Sequence, residues 1–191
     1  MLNKKVLFIV FLLIAIVQLY VPAKMIYDQE VVLLNGNEYK FKAAPIDPND
    51  PFRGKYITLR FDATTFPVQN INEWAINDEV FVQIQNDSTG FAQIKNVSKK
   101  RPDNDPDYIK AKIAFLMEDG KVNMRIEYPF DRFYMEETKA QAAEDMYRES
   151  IVDSTQVAYA LVNIRNGEAV IRDVLINGTS ISDLVKTGEN K

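Results

Sequence analysis

The sequence predicts a mostly β protein: a single N-terminal transmembrane helix followed by an antiparallel β-barrel or β-sandwich carrying one amphipathic helix. Three observations predict it. An uncharged apolar run opens the chain at Val6–Ala23. Apolar and polar residues then alternate with period two in many short segments, the mark of half-buried strands. Short glycine-containing turns separate those segments, as hairpins require.

The first element is the apolar run. As a helix its 18 residues would extend about 27 Å, close to the ~30 Å of a bilayer's hydrocarbon core. Lys4 and Lys5 precede it and favour a cytoplasmic N-terminus. Tyr20 lies near the far end, and Lys24, Asp28 and Glu30 follow. A cleaved signal peptide competes with a retained anchor, because Val21-Pro22-Ala23 places small residues at a cleavage-like site. The apolar pattern continues through Met25, Ile26 and Tyr27, which favours the anchor. The expected organisation is an anchor over residues 1–27 and an extracytoplasmic, periplasmic β domain over residues 28–191.

Within the domain, Tyr39, Phe41 and Ala43 alternate with charged residues. Val80, Val82 and Ile84 do the same against Phe81, Gln83 and Gln85, as do Val122, Met124, Ile126 and Tyr128 against Asn123, Arg125 and Glu127. Four hairpins are predicted. Asn35-Gly36-Asn37 would join Val31–Leu34 to Glu38–Ala43, and Asn86–Gly90, Glu118-Asp119-Gly120 and Arg165-Asn166-Gly167 would turn the others. With Lys55–Asp62 they make nine or ten strands. Glu136–Ser150 differs: it is built of good helix formers, and Ala140, Ala143, Met146 and Tyr147 form an apolar stripe at helical spacing.

Composition excludes several chemistries. The 191 residues include no histidine and no cysteine, so a Ser-His-Asp triad, a thiolate nucleophile and a His- or Cys-ligated metal cannot be built. Residues 1–23 hold two of the 23 basic side chains, so the rest carries 21 against 27 acidic ones, a net charge of −6. An acidic domain with no basic block does not suit nucleic acid. No cofactor and no metal site is expected. Asp103, Asp105 and Asp107 alternate as calcium ligands can, but the glycine and the final glutamate of a calcium loop are missing. Ser98 beside Lys99 is a poor dyad, since strand neighbours point to opposite faces.

The most unusual stretch is Pro45–Phe61, P-I-D-P-N-D-P-F-R-G-K-Y-I-T-L-R-F. Three prolines stiffen it. Tyr56, Thr58 and Arg60 would share one strand face, with Ile57, Leu59 and Phe61 on the other. Asp47 and Asp50 can accept backbone N–H bonds in turns, braced by Arg53. Alternatively, Arg53 and Tyr56 are exposed anchors of a binding groove, so Asp47, Asp50, Arg53 and Tyr56 are the candidate binding residues. No catalytic residue is singled out.

The segment resembles the signature of the GDYXXLXY protein family. Asp47, Pro48, Asp50, Phe52, Arg53, Gly54, Tyr56 and Leu59 carry the resemblance, while Lys55 replaces Asp and Phe61 replaces Tyr. Arg132-Phe133-Tyr134 and the helix after it look like a second family block. The resemblance implies a membrane-anchored extracytoplasmic protein and assigns no activity. Family members are often encoded beside multi-pass membrane proteins. The functional expectation is a membrane-tethered interaction protein, an accessory subunit to integral-membrane or envelope partners. The alternative is an envelope enzyme using Asp/Glu general acid–base chemistry on glycan or peptide.

Overall fold

A computed structural model describes residues 4–44, 56–103, 105–119, 121–153 and 155–188. Helix α1 spans Lys4–Asn35. It is long and apolar enough to cross a membrane, and its apolar window is not buried against the rest of the chain. Pro22 lies inside it. The helix continues past Tyr27, which overturns the expected strand at Val31–Leu34 and the hairpin turn at Asn35-Gly36-Asn37.

The reason lies far away in sequence. A helix end leaves its last carbonyls without intrahelical partners. Here the Asn163 side-chain amide donates to the Leu33 carbonyl at 3.0 Å, and the Arg165 guanidinium donates to the Asn35 carbonyl at 3.3 Å. The Gly36 N–H closes the last turn on the Val32 carbonyl at 2.8 Å. Val32 itself is buried. A Cβ on Gly36 would lie 2.5 Å from the Val32 carbonyl oxygen and 3.0 Å from that of Ile164. Only glycine fits where the helix meets the sheet.

Eleven strands follow among the described residues: β1 Asn37–Lys42, β2 Tyr56–Thr58, β3 Thr65–Pro67, β4 Glu79–Asn86, β5 Ala92–Ser98, β6 Tyr108–Asp119, β7 Lys121–Glu127, β8 Arg132–Tyr134, β9 Ala158–Arg165, β10 Glu168–Ile176 and β11 Thr179–Ser180. All pairings between them are antiparallel. One sheet has the order β1-β9-β10-β11, a second β3-β7-β6-β4-β5, and β2-β8 form a ribbon. The turns at Asn86–Gly90 and Arg165–Gly167 join paired strands as expected; β6 and β7 pair likewise, while Gly120 of the third expected turn lies outside the described residues.

Two bridges draw the sheets into a nearly closed barrel. Lys40 of β1 bridges Phe91, just before β5, and Ala43 bridges Phe61. Main-chain bonds from Ala44 to Arg60 (2.8 Å) and from Asp62 to Lys42 (3.1 Å) reinforce the second. The ring therefore runs β1, the chain from Leu59 into β3, β7, β6, β4, β5 and back to β1. The β9–β10 turn closes over its rim: Gly167 accepts from Lys110 N–H at 2.9 Å and donates to the Tyr108 carbonyl at 3.0 Å.

Alternation puts Phe41, Val80, Val82, Ile113, Met124 and Ile126 inside. Burying each such side chain contributes about 1.5–3 kcal/mol. At the barrel's motif side four aromatics meet. Phe41 stands edge-on to Phe61 (5.4 Å), Tyr128 (5.6 Å) and Phe130 (5.4 Å). The buried Tyr128 hydroxyl donates to the Ala63 carbonyl at 2.6 Å.

Helix α2, Glu137–Val152, matches the expected amphipathic helix. Ala140, Ala143, Tyr147 and Ser150 are its buried face, which packs on β2 and β9. A third helix, α3 at Ile181–Gly188, packs beside it through Ile181 and Val185.

Candidate functional site

Strand β2 begins at Tyr56, the one candidate binding residue inside the described region. Asp47, Asp50 and Arg53 lie outside the described residues. The sequence-predicted alternation holds: Ile57, Leu59 and Phe61 are buried, while Tyr56 and Thr58 are half-buried and Arg60 exposed. Leu59 and Phe61 of the motif are thus core residues.

The partner of β2 is β8. Tyr56 pairs with Tyr134, Ile57 with Phe133 and Thr58 with Arg132. Directly paired residues share a sheet face, so Tyr56, Thr58, Arg132 and Tyr134 stand together on the outer one. The two tyrosine rings lie 5.4 Å apart, and the Arg132 guanidinium sits 5.0 Å from the Tyr56 ring centroid. Tyr134 is 64% exposed. The neighbouring Tyr134 hydroxyl is the main influence that raises the Arg132 pKa, with further help from Tyr56 and Asp131. Arg132 is therefore a permanent cation on an aromatic platform.

Beside the ribbon runs an open groove of about 370 Å³, whose lining includes Thr58, Arg60, Phe115, Arg125, Glu127 and Asp131. Its rim is made by a β-bulge. The register of β6 against β7 shifts between Ile113 and Phe115. A bulge re-aims side chains: Ile113 is fully buried, whereas Phe115 is 59% exposed. Phe115 pairs with Arg125, which pairs in turn with Thr65 of β3. Arg60 and Arg125 form no ion pair among the described residues. The groove therefore offers an exposed aromatic ring, the Arg60 and Arg125 guanidiniums without an ion-pair partner among the described residues, and the Glu127 and Asp131 carboxylates.

Other sequence candidates resolve into structural roles. The Asp105 carboxylate accepts from the Asp107 N–H at 3.0 Å and from Gln83 at 2.8 Å, with Lys95 at 3.6 Å. The bond from the Asp107 backbone leads in holding its pKa below the ordinary carboxylate value. Asp107 accepts from Asn37 (2.8 and 3.0 Å) and from the Tyr39 hydroxyl (2.8 Å). Burial, followed by that bond, raises the Tyr39 pKa. These carboxylates tie their loop to β1 and β4, and no metal-type cluster of acids occurs among the described residues. Ser98 accepts from the Lys100 N–H (3.0 Å), while Lys99 pairs with Asp78 (2.6 Å) over the Trp74 ring. That serine and lysine do not form a dyad.

The ribbon brings together two sequence blocks some 75 residues apart, and both fall inside one family match: residues 18–174 correspond to the GDYXXLXY protein family. The chain belongs to the GDYXXLXY family. No curated protein and no solved structure matched it. Sequence reasoning found Tyr56 and the Arg132-Phe133-Tyr134 block separately. It missed Phe115 and Arg125, because a bulge leaves no signature in the alternation of Ile113, Phe115 and Met117.

Proposed function

We propose that this GDYXXLXY protein is a membrane-tethered binding subunit. Its α1 is a single-pass anchor with a cytoplasmic N-terminus, and its β domain works on the extracytoplasmic, periplasmic side. There it engages an integral-membrane or envelope protein. The observation that carries this reading is the face formed by Arg132, Tyr134, Phe115 and Arg125. Aromatic residues and arginines dominate binding energy at protein interfaces. On a monomer's surface, a large aromatic ring re-aimed outward beside guanidiniums that have no ion-pair partner among the described residues has no evident stabilising role.

Lys4 and Lys5 before the apolar run support the orientation. The tether raises the effective concentration of the domain near other membrane proteins, so a contact of modest intrinsic affinity suffices. The groove's mixed charges, Arg60 and Arg125 beside Glu127 and Asp131, suit a partner segment that presents charges of both signs beside an apolar side chain.

The test is copurification of the full chain from membranes in mild detergent, alongside a Phe115→Ala/Arg125→Glu variant. The expected result is a membrane or envelope protein recovered with the parent chain and lost from the variant. A parent chain recovered alone, or a companion retained equally by the variant, refutes the reading.

A further inference from the structure

A second groove, of about 540 Å³, lies between α1 and the β9–β10 hairpin. Its α1 wall includes Tyr27, Asp28 and Val31, and its hairpin wall includes Arg165, Glu168 and Val170. It is separate from the ribbon and the bulge. Its depth follows from helix geometry. Twenty residues from Leu7 to Ile26 span about 30 Å, one hydrocarbon thickness. The polar headgroup layer adds roughly 5–7 Å on each side, or the next three to five helical residues. Those residues are Tyr27–Val31, of which Tyr27, Asp28, Gln29 and Val31 line the groove together with Met25 and Val32. Lys24 falls just inside this boundary and reaches outward by one turn to pair with Asp28, as a snorkelling lysine does.

The groove therefore opens at headgroup depth, and its charges are mixed. Arg165 uses one N–H on the Asn35 carbonyl, and a guanidinium has five. Glu168 is exposed and stands directly across the hairpin from Arg165. Asp28 supplies a second carboxylate, already partnered by Lys24. Tyr27, Val31 and Val170 provide apolar wall in the same groove. One cation and a carboxylate directly across the hairpin from it, with apolar surface beside them, complement a ligand with a phosphate at one point and an ammonium a few ångströms away. An anionic headgroup with no ammonium would leave Glu168 uncompensated, inside a domain of net charge −6.

We propose that this groove holds the headgroup of a zwitterionic phospholipid bearing a primary ammonium, an ethanolamine-type lipid. The phosphate meets Arg165 and the ammonium meets Glu168. A primary ammonium donates hydrogen bonds to a carboxylate, and a choline headgroup cannot. This inference rests on α1 being a retained anchor, as proposed above.

The full chain is reconstituted into nanodiscs containing phosphatidylethanolamine, phosphatidylcholine and phosphatidylglycerol in equal amounts. Native mass spectrometry then reads which lipid stays bound on release. The expected result is retention of phosphatidylethanolamine about tenfold above either other lipid, as one charge-assisted hydrogen bond would give. Glu168→Gln should bring phosphatidylethanolamine and phosphatidylcholine to parity without changing the melting temperature. Val170→Trp should fill the groove and abolish retention of all three. Equal retention by the parent chain, preference for phosphatidylglycerol, or a preference untouched by both variants overturns the proposal while leaving the anchor standing. A chain that does not enter nanodiscs overturns both.

Discussion

Gly36→Ala probes the joint between α1 and the barrel. The added methyl would sit 2.5 Å from the Val32 carbonyl oxygen and within 3.0–3.2 Å of the Ile164 backbone. All three neighbours are main-chain atoms, so no side-chain rotation relieves the clash. Relief means moving the helix end from the sheet, which breaks the 2.8 Å bond to Val32 and the 3.0 Å bond from Asn163 to Leu33. Each bond is worth about 1 kcal/mol, and partial exposure of the buried Val32 adds up to about 1.5 kcal/mol. The expected loss is about 2–4 kcal/mol, and a domain of this size loses roughly 2–4 °C of Tm per kcal/mol. Thermal unfolding of the full chain in detergent should therefore show a drop of about 5–15 °C. Gly90→Ala is the control. Gly90 has φ +85° with open space around its Cβ position, so alanine there carries only the left-handed backbone cost of about 1–2 kcal/mol. If Gly36→Ala melts with the parent chain, or is no worse than Gly90→Ala, the joint does not have the tight geometry described.

Two tyrosines should behave oppositely. Tyr128→Phe deletes the bond to Ala63 and should cost about 1 kcal/mol. Among the described residues the buried Tyr147 hydroxyl makes no well-formed hydrogen bond and meets only a weak contact from the Arg60 backbone, so Tyr147→Phe should leave Tm unchanged or higher; parallel losses in paired melting curves would contradict this. The pKa of Asp105 is depressed in the fold. Its contribution is thus fully present above the unfolded carboxylate value of about 3.9 and is lost as pH falls through the lower folded value. Asp105→Asn should flatten the acid limb of a Tm–pH profile below about pH 4. Burial raises the pKa of Tyr39, Tyr128 and Tyr147. Stability should accordingly fall as pH rises above about 10, where the unfolded phenols ionise first. Phe115→Ala and Arg125→Glu, both exposed, should shift stability by no more than about 0.5 kcal/mol, which chemical denaturation can check.

The alternation of Val80–Ile84 and Val122–Tyr128 made the strands legible, and the Ala140–Tyr147 stripe made α2 legible. Both patterns are local, and the tertiary structure agrees with them. Val31–Leu34 was misread because four consecutive apolar residues before Asn-Gly fit a buried strand as well as a helix end. What decides between them is capping by Asn163 and Arg165, about 130 residues onward. Helix α3 was missed because its eight residues are too few to establish a period, and its apolar face is defined by α2. The candidate face was half legible. Tyr56 and Arg132–Tyr134 drew notice as family blocks, but their adjacency is a matter of strand pairing. The exposure of Phe115 depends on a single register shift in β6.

The seamless passage of α1 into the barrel has a mechanical consequence. If α1 is embedded as proposed, the body has no loose hinge on its stalk, and a sideways push on it tilts the rod within the lipid. A partner of the proposed kind, drifting in the same plane, would then meet it at one height and one attitude, and the search would reduce to lateral diffusion and a turn about the rod's long axis.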